Sequence, residues 1–245
     1  MECGAAGASR GVAIFLHDGL GAIEAWKNVP ELLSAAAGRR ALIYDRWGYG
    51  QSDARARFEP GFLEAEVPGL REIVEDEANE PVDLVGHSDG ASIALLFAAA
   101  HPELVRSVIS IAAHTFVEPV NTKRIDAMLR AASAGSMPAW LERLHGDRAE
   151  QLLRAWAEVW LGGEHGRWDI RDRLTNIRCP VLALQGDGDE FGTRAQLDSI
   201  GEGVSTVETW LMEGAGHTPH ADRPDDVVRR SLDFWKAIAL RSSAT

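Results

Sequence analysis

The chain holds only two cysteines in 245 residues, Cys3 and Cys179, and they stand far apart. Neither spacing suits a disulfide framework or a metal site, so a reducing, cytoplasmic setting is expected and no metal is implied. Basic residues are outnumbered: 25 Lys and Arg face 37 Asp and Glu, a formal net charge of −12. Nucleic-acid binding needs clustered Lys and Arg to neutralise phosphates, and this balance argues against such a partner. The opening residues lack a basic stretch followed by an apolar run, and no segment is apolar for the length of a bilayer. Neither a signal peptide nor a membrane span is expected. Internal repeats and low-complexity linkers are also missing. What is present is a hydrophobic content of 45%, ordinary for a globular protein, in a chain long enough to bury a sizeable core.

Strand-like apolar runs alternate with helical patterns, which favours an α/β fold with a mainly parallel sheet flanked by helices. About six strands are expected, at Gly11–Leu16, Arg40–Tyr44, Pro81–Val85, Ser107–Ile111, Cys179–Gln185 and Ser205–Leu211. Helices are expected at Glu24–Ala37, around Phe62–Asn79, at Ala91–Ala100, Arg194–Ile200 and Pro224–Leu240. Residues 114–178 break the alternation. Asn121–Ala132, Met137–His145 and Arg148–Leu161 look helical with no strand between them. Such a stretch is too long for a simple strand-to-helix connection. The reading is one domain over residues 1–245, with a core of 11–113 and 179–240 and a helical cap inserted at about 114–178. Met128, Trp140, Leu141, Leu144, Trp156 and Trp160 either pack the cap onto the core or wall a substrate pocket.

The most informative segment is Val82–Val85 followed by Gly86-His87-Ser88-Asp89-Gly90 and the Ala- and Leu-rich run after it. A strand, a Gly-x-Ser-x-Gly turn and a helix place the serine hydroxyl above the carboxyl end of a sheet. The helix N-terminus beneath it favours negative charge nearby. Glycine is needed at both ends of the turn because a Cβ would collide with the neighbouring strand or helix.

A serine hydroxyl needs a base, and the base needs a carboxylate on its other nitrogen. Asp189, in Gly186-Asp187-Gly188-Asp189-Glu190 after an apolar strand, is the expected acid; Asp187 and Glu190 are its rivals, Asp187 reading better as a turn residue. His217, in Gly214-Ala215-Gly216-His217, is the expected base, with His220 as competitor and a solvated loop side chain as its ordinary role. The chain order Ser, Asp, His is the one this architecture uses. Two main-chain N–H groups must hold the oxyanion. Asp89, next to the serine, supplies one; the loop His17-Asp18-Gly19-Leu20-Gly21 supplies the other from Gly19, with Leu20 second. His17 reads as a residue that fastens this loop.

Together these segments resemble the α/β-hydrolase superfamily, from about Val12 to the last helix. His17-Asp18-Gly19-Leu20-Gly21 is similar to its His-Gly-x-x-Gly loop, with Asp18 replacing the usual first glycine. Tyr44-Asp45-Arg46-Trp47-Gly48-Tyr49-Gly50-Gln51-Ser52 resembles its Asp-x-x-Gly-x-Gly-x-Ser turn. The resemblance implies Ser88 as nucleophile, Asp189 as acid, His217 as base, and Gly19 and Asp89 as oxyanion donors. It implies a serine hydrolase that cleaves an ester, thioester or similar activated carbonyl of a small, partly apolar substrate, with no cofactor. Carbon–carbon bond hydrolysis of a ring-cleavage dienoate is the alternative enzyme, and a small-molecule receptor with slow turnover the alternative class. Family members usually carry two further strands before the first one here. Their absence would leave Arg40–Tyr44 as a bare edge, inviting a homodimer, or would mean that the native chain begins earlier.

Overall fold

The computed structural model describes residues 2–3 and 11–242. Six parallel strands form its centre: β2 (Val12–Leu16), β3 (Arg40–Ile43), β4 (Val82–His87), β5 (Val105–Ile111), β6 (Val181–Gly186) and β7 (Val207–Met212). Successive side chains of a strand point to opposite faces, so each strand feeds two cores. Val12, Ile14 and Leu16 join one, while Ala13 and Phe15 join the other. The first core is closed by α2 (Glu66–Glu77), α3 (Asp89–Ala100) and α7 (Arg194–Gly203), through residues such as Leu70, Phe97 and Leu197. The second is closed by α1 (Val29–Ala37) and, after the short α8 (Pro219–Asp222), by α9 (Pro224–Ser242), through Leu33, Val227 and Trp235. This is the α/β-hydrolase fold.

All six expected strands are present, with ends displaced by at most two residues. One edge differs from expectation. Glu2–Cys3 forms the two-residue strand β1, antiparallel to β3, with Glu2 opposite Leu42 and Cys3 opposite Ala41. The sheet order is β1-β3-β2-β4-β5-β6-β7, so β3 is not a bare edge. The unpaired N–H and C=O groups of an edge strand can pair with an extended segment within reach, and here Glu2–Cys3 provides it.

The single helix expected over Glu24–Ala37 is two elements. A 3-10 turn at Ile23–Trp26 ends at Lys27, whose φ of 52° breaks the helical path, and α1 restarts with Pro30 in its first turn. Proline is tolerated in a first turn and not in a helix interior, so the break falls just before it.

Between β5 and β6 lie α4 (Pro119–Ser133), α5 (Ala139–His145) and α6 (Ala149–Leu161). Among the described residues the only β pairing in this stretch is one bridge between Phe116 and Asp169. In α6 the buried Leu152, Leu153, Trp156, Ala157 and Trp160 recur at helical spacing and bind the segment to the core. Among the described residues no helix is long and apolar enough to cross a membrane.

Candidate active site

Strand β4 ends at His87, and α3 begins at Asp89, so Ser88 makes the turn alone. Its φ of 51° and ψ of −119° lie where side chains rarely go. Such strain persists only when the surroundings impose it. Here the Ser88 N–H donates to the Ile111 carbonyl at 2.9 Å, tying the turn to β5. A Cβ on Gly86 would stand 2.4 Å from the Gly90 carbonyl oxygen, and one on Gly90 2.1 Å from that of Leu16. Both glycines are therefore dictated by close approach of backbone to backbone.

Asp189 and His217 come from loops after β6 and β7 that are laced together. The Gly188 N–H donates to the Ala215 carbonyl at 3.0 Å, and the Gly214 N–H to Asp187 Oδ1 at 2.8 Å. Asp187 thus reaches across to the loop after β7, where a role within its own turn was expected. The interlacing brings the Asp189 carboxylate to the histidine: His217 Nδ1 donates to Asp189 Oδ1 at 2.8 Å, and His217 Nε2 lies 2.9 Å from Ser88 Oγ. Asp189 also accepts from the Phe191 N–H at 2.9 Å and from Gln185 Nε2 at 3.1 Å, which fixes its plane. His87 Nε2 donates to the His217 carbonyl at 2.8 Å and holds the loop from below.

Burial would push His217 below its ordinary value, but the hydrogen bond and charge of Asp189 outweigh it and the pKa is raised. Burial acts on Asp189 in the raising direction, and the contacts with His217 outweigh it to leave the carboxyl lowered. An imidazole paired in this way can take a proton from the hydroxyl and be stabilised as a cation.

His220 does not occupy the solvated position expected of it. It is buried, with its ring centroid 4.5 Å from that of His87 and 4.9 Å from Trp26, and burial holds it well below the ordinary histidine range. His17 fastens its loop: Nδ1 donates to the Asp18 carbonyl at 2.8 Å, and Nε2 accepts from the Arg46 N–H at 3.0 Å. The turn resembling Asp-x-x-Gly-x-Gly-x-Ser supports that loop. Asp45 accepts from the amides of Ile23 and Gln51, each at 2.8 Å.

Gly19, Leu20 and Asp89 line the same cavity as Ser88 and His217. Asp89 opens α3, so its N–H has no acceptor within the helix. Gly19 is packed so closely that a Cβ there would meet Trp156 Nε1 at 2.5 Å and Asp89 Oδ2 at 2.6 Å. The Asp89 side chain carries information that the sequence reading missed. Its Oδ2 accepts from Trp156 Nε1 at 2.9 Å, fastening α6 to the turn that holds Ser88. Burial raises this carboxyl to about 6, against the opposing charge of Arg46.

The cavity has a volume of 590 Å³, and α4, α5 and α6 roof it. Of the six residues with two readings, Trp140 and Leu144 wall the cavity, Leu141 packs in the core, and Met128, Trp156 and Trp160 do both. His114 and Asn121 also line it. The sequence reading missed both, although His114 follows the carboxyl end of a strand, the edge where ligands gather in open α/β sheets. Among the described residues no group of three or more His, Cys, Asp or Glu side chains could hold a metal ion.

The sequence pattern of the Alpha/beta hydrolase family matches residues 13–230, and the chain belongs to that family. It is 28% identical to the mouse (Mus musculus) serine hydrolase BPHL, over 84% of this chain and 72% of that one. It is 25% identical to the pimeloyl-[acyl-carrier protein] methyl ester esterase of Aeromonas hydrophila, over 80% of this chain and 85% of that one. Among solved structures, the esterase EaEST from Exiguobacterium antarcticum superposes with a TM-score of 0.78 at 18% identity, covering 96% of this chain and 94% of that one.

Proposed function

We propose that the protein is a serine hydrolase that cleaves an ester, thioester or similar activated carbonyl of a small, partly apolar substrate. The observation that carries this reading is the unbroken line from Asp189 through His217 to Ser88, with contacts of 2.8 and 2.9 Å beside an apolar-walled cavity. His217 takes the Ser88 proton as Oγ attacks the carbonyl carbon. Asp189 stabilises the imidazolium so formed. The main-chain N–H groups of Gly19 and Asp89 hold the tetrahedral oxyanion, each contributing about 3 kcal/mol of transition-state stabilisation. His217 then gives its proton to the departing alcohol or thiol, leaving an acyl group on Ser88. Water activated by His217 attacks the acyl-enzyme and releases the acid. The scheme draws on no metal or organic cofactor. The helices α4–α6 act in it as a cap that selects the substrate.

Ser88→Ala tests this directly. The wild-type protein is expected to hydrolyse p-nitrophenyl acetate and to be labelled by a fluorophosphonate, and the variant to lose both. A Ser88→Ala protein with wild-type turnover overturns the reading.

A further inference from the structure

The carbonyl of Asp18 and the N–H of Gly19 belong to one peptide unit, and that unit is gripped from behind. Three donors meet the Asp18 carbonyl oxygen: His17 Nδ1 at 2.8 Å, Arg46 Nη2 at 2.9 Å and the Gly21 N–H at 3.2 Å. His17 and Arg46 also fasten each other, since the Arg46 N–H donates to His17 Nε2 at 3.0 Å. Both side chains are buried, and neither lines the cavity. The carbonyl is therefore turned into the protein. Across a trans peptide the N–H points the opposite way. The Gly19 N–H has no acceptor among the described residues, and it faces the side of the cavity that Gly19 lines.

A buried cation is strongly unfavourable unless it is paired. The Arg46 guanidinium is fully buried, and among the described residues it has no ion-pair partner. Nε and Nη1 make no hydrogen bond, and the group lies over the Tyr49 ring, 4.4 Å from the centroid. The bond to Asp18 is the one its side chain makes. The charge of Arg46 also acts on the Asp89 carboxyl, opposing the effect of burial there. A hydrogen bond from a charged donor is stronger than one from a neutral amide. It draws electron density from the carbonyl, so the N–H on the far side of the same peptide becomes a better donor.

We propose that Arg46 is a positioning residue for the reaction: through the Asp18 carbonyl it locks the Asp18–Gly19 peptide plane and strengthens the Gly19 N–H as a donor to the developing oxyanion. The guanidinium itself touches no substrate. The inference rests on the serine hydrolase reading, and within it favours Gly19 over Leu20. The Leu20 N–H belongs to the next peptide, whose carbonyl, that of Gly19, accepts no hydrogen bond among the described residues. A donor of fixed orientation meets the oxyanion without reorganising as charge develops, so Arg46 acts on the transition state and not on the bound ester.

The test compares a mimic of the tetrahedral state with the intact ester. Propylboronic acid carries the chain of a butanoyl group. Its boron bonds Ser88 Oγ, the hydroxyl proton passes to His217, and the boron becomes a tetrahedral anion with one oxygen where the oxyanion forms. In Arg46→Met the inhibition constant of propylboronic acid is expected to rise by about tenfold or more, and kcat/KM for phenyl butanoate to fall by about the same factor. Binding of phenyl butanoate to the Ser88→Ala protein, measured by calorimetry, is expected to change by less than about twofold when Arg46→Met is added. A merely structural loss lowers the active fraction and leaves the inhibition constant where it was. His17→Gln keeps an acceptor for the Arg46 N–H and loses the donor to Asp18. It is expected to move both constants in the same direction, and it keeps the test readable if Arg46→Met does not fold. An unchanged inhibition constant in both variants, or equal losses of boronate and ester binding, overturns the inference. So does full recovery of boronate binding when Asp89→Asn is added to Arg46→Met, which would make Arg46 only a counter-charge to Asp89. Hydrolysis of phenyl butanoate by the wild-type protein, and its loss in Ser88→Ala, report separately on the serine hydrolase reading.

Discussion

His217 is raised above the ordinary histidine value although it is buried, because the Asp189 carboxylate outweighs desolvation. A base must be neutral to accept a proton. For an uncharged ester, kcat/KM is therefore expected to rise with pH through an apparent pKa above 6.5 and to be lost on the acid side. Asp189→Asn removes the contribution that raises His217 and leaves the burial that lowers it. The midpoint should then move to lower pH, and the plateau should fall by orders of magnitude because the imidazole loses its orienting partner. A pH–rate profile of both proteins measures the two effects together. An acid limb unmoved by Asp189→Asn would show that another group titrates. The residue scale also explains Asp89: in the proposed reaction its backbone N–H holds the oxyanion, while its side chain ties Trp156 of α6 to the turn. The first role follows from being next to Ser88; the second depends on α6 lying over it.

At the scale of elements, the fold joins strand to helix through buried polar ties as well as apolar packing. Asp83 in β4 is fully buried and accepts from Arg39 Nε at 2.6 Å and from Ser107 Oγ of β5. Ser107 in turn accepts from Trp235 Nε1 of α9 at 3.1 Å, and the Arg39 guanidinium lies 4.2 Å from the Trp235 ring centroid. Arg106 adds a longer contact to Asp83 at 3.6 Å. Removing one partner of a buried ion pair strands the other charge. Arg39→Met is expected to destabilise the protein by about 3 kcal/mol, the lower end of that range because Arg106 remains. Urea denaturation at pH 7 checks it, and a change below about 0.5 kcal/mol, the size of an ordinary surface substitution, would show that the tie is dispensable. The 3-10 turn before α1 and the restart at Val29 follow from Pro30, which is plain in the sequence. That the turn at Lys27 takes a positive φ is not, since lysine has no preference for it.

For the whole molecule, pairing of β1 with β3 covers Ala41 and Leu42 on the edge where self-association was expected. The protein should therefore run as a monomer of 26.6 kDa by size-exclusion chromatography with light scattering. A mass of twice that would mean that another face pairs. Six parallel strands, the flanking helices apart from the one expected over Glu24–Ala37, and the three helices over the cavity were legible because each has a local cause. Strands and helices follow from the period of apolar residues, and the turn at Ser88 from two glycines at a fixed spacing. The contacts of the His114 ring were not legible. His114 and Asn121 are seven residues apart, and nothing in their spacing says that Phe191, 77 residues beyond His114, will occupy the donor on one ring nitrogen and leave the other bare.

By itself the sequence determined the α/β layering, the order in which Ser88, Asp189 and His217 follow one another along the chain, and the glycines that allow backbones to touch, because those depend on neighbours within a few residues. Only the tertiary structure decided which atoms meet. It brought loops after three different strands to within 3 Å of one another, buried His220 where a solvated side chain was expected, and paired Glu2–Cys3 with β3. The physical reason is that hydrogen-bond partners and burial are properties of positions in space. Chain segments far apart in sequence share such positions only after the sheet has formed.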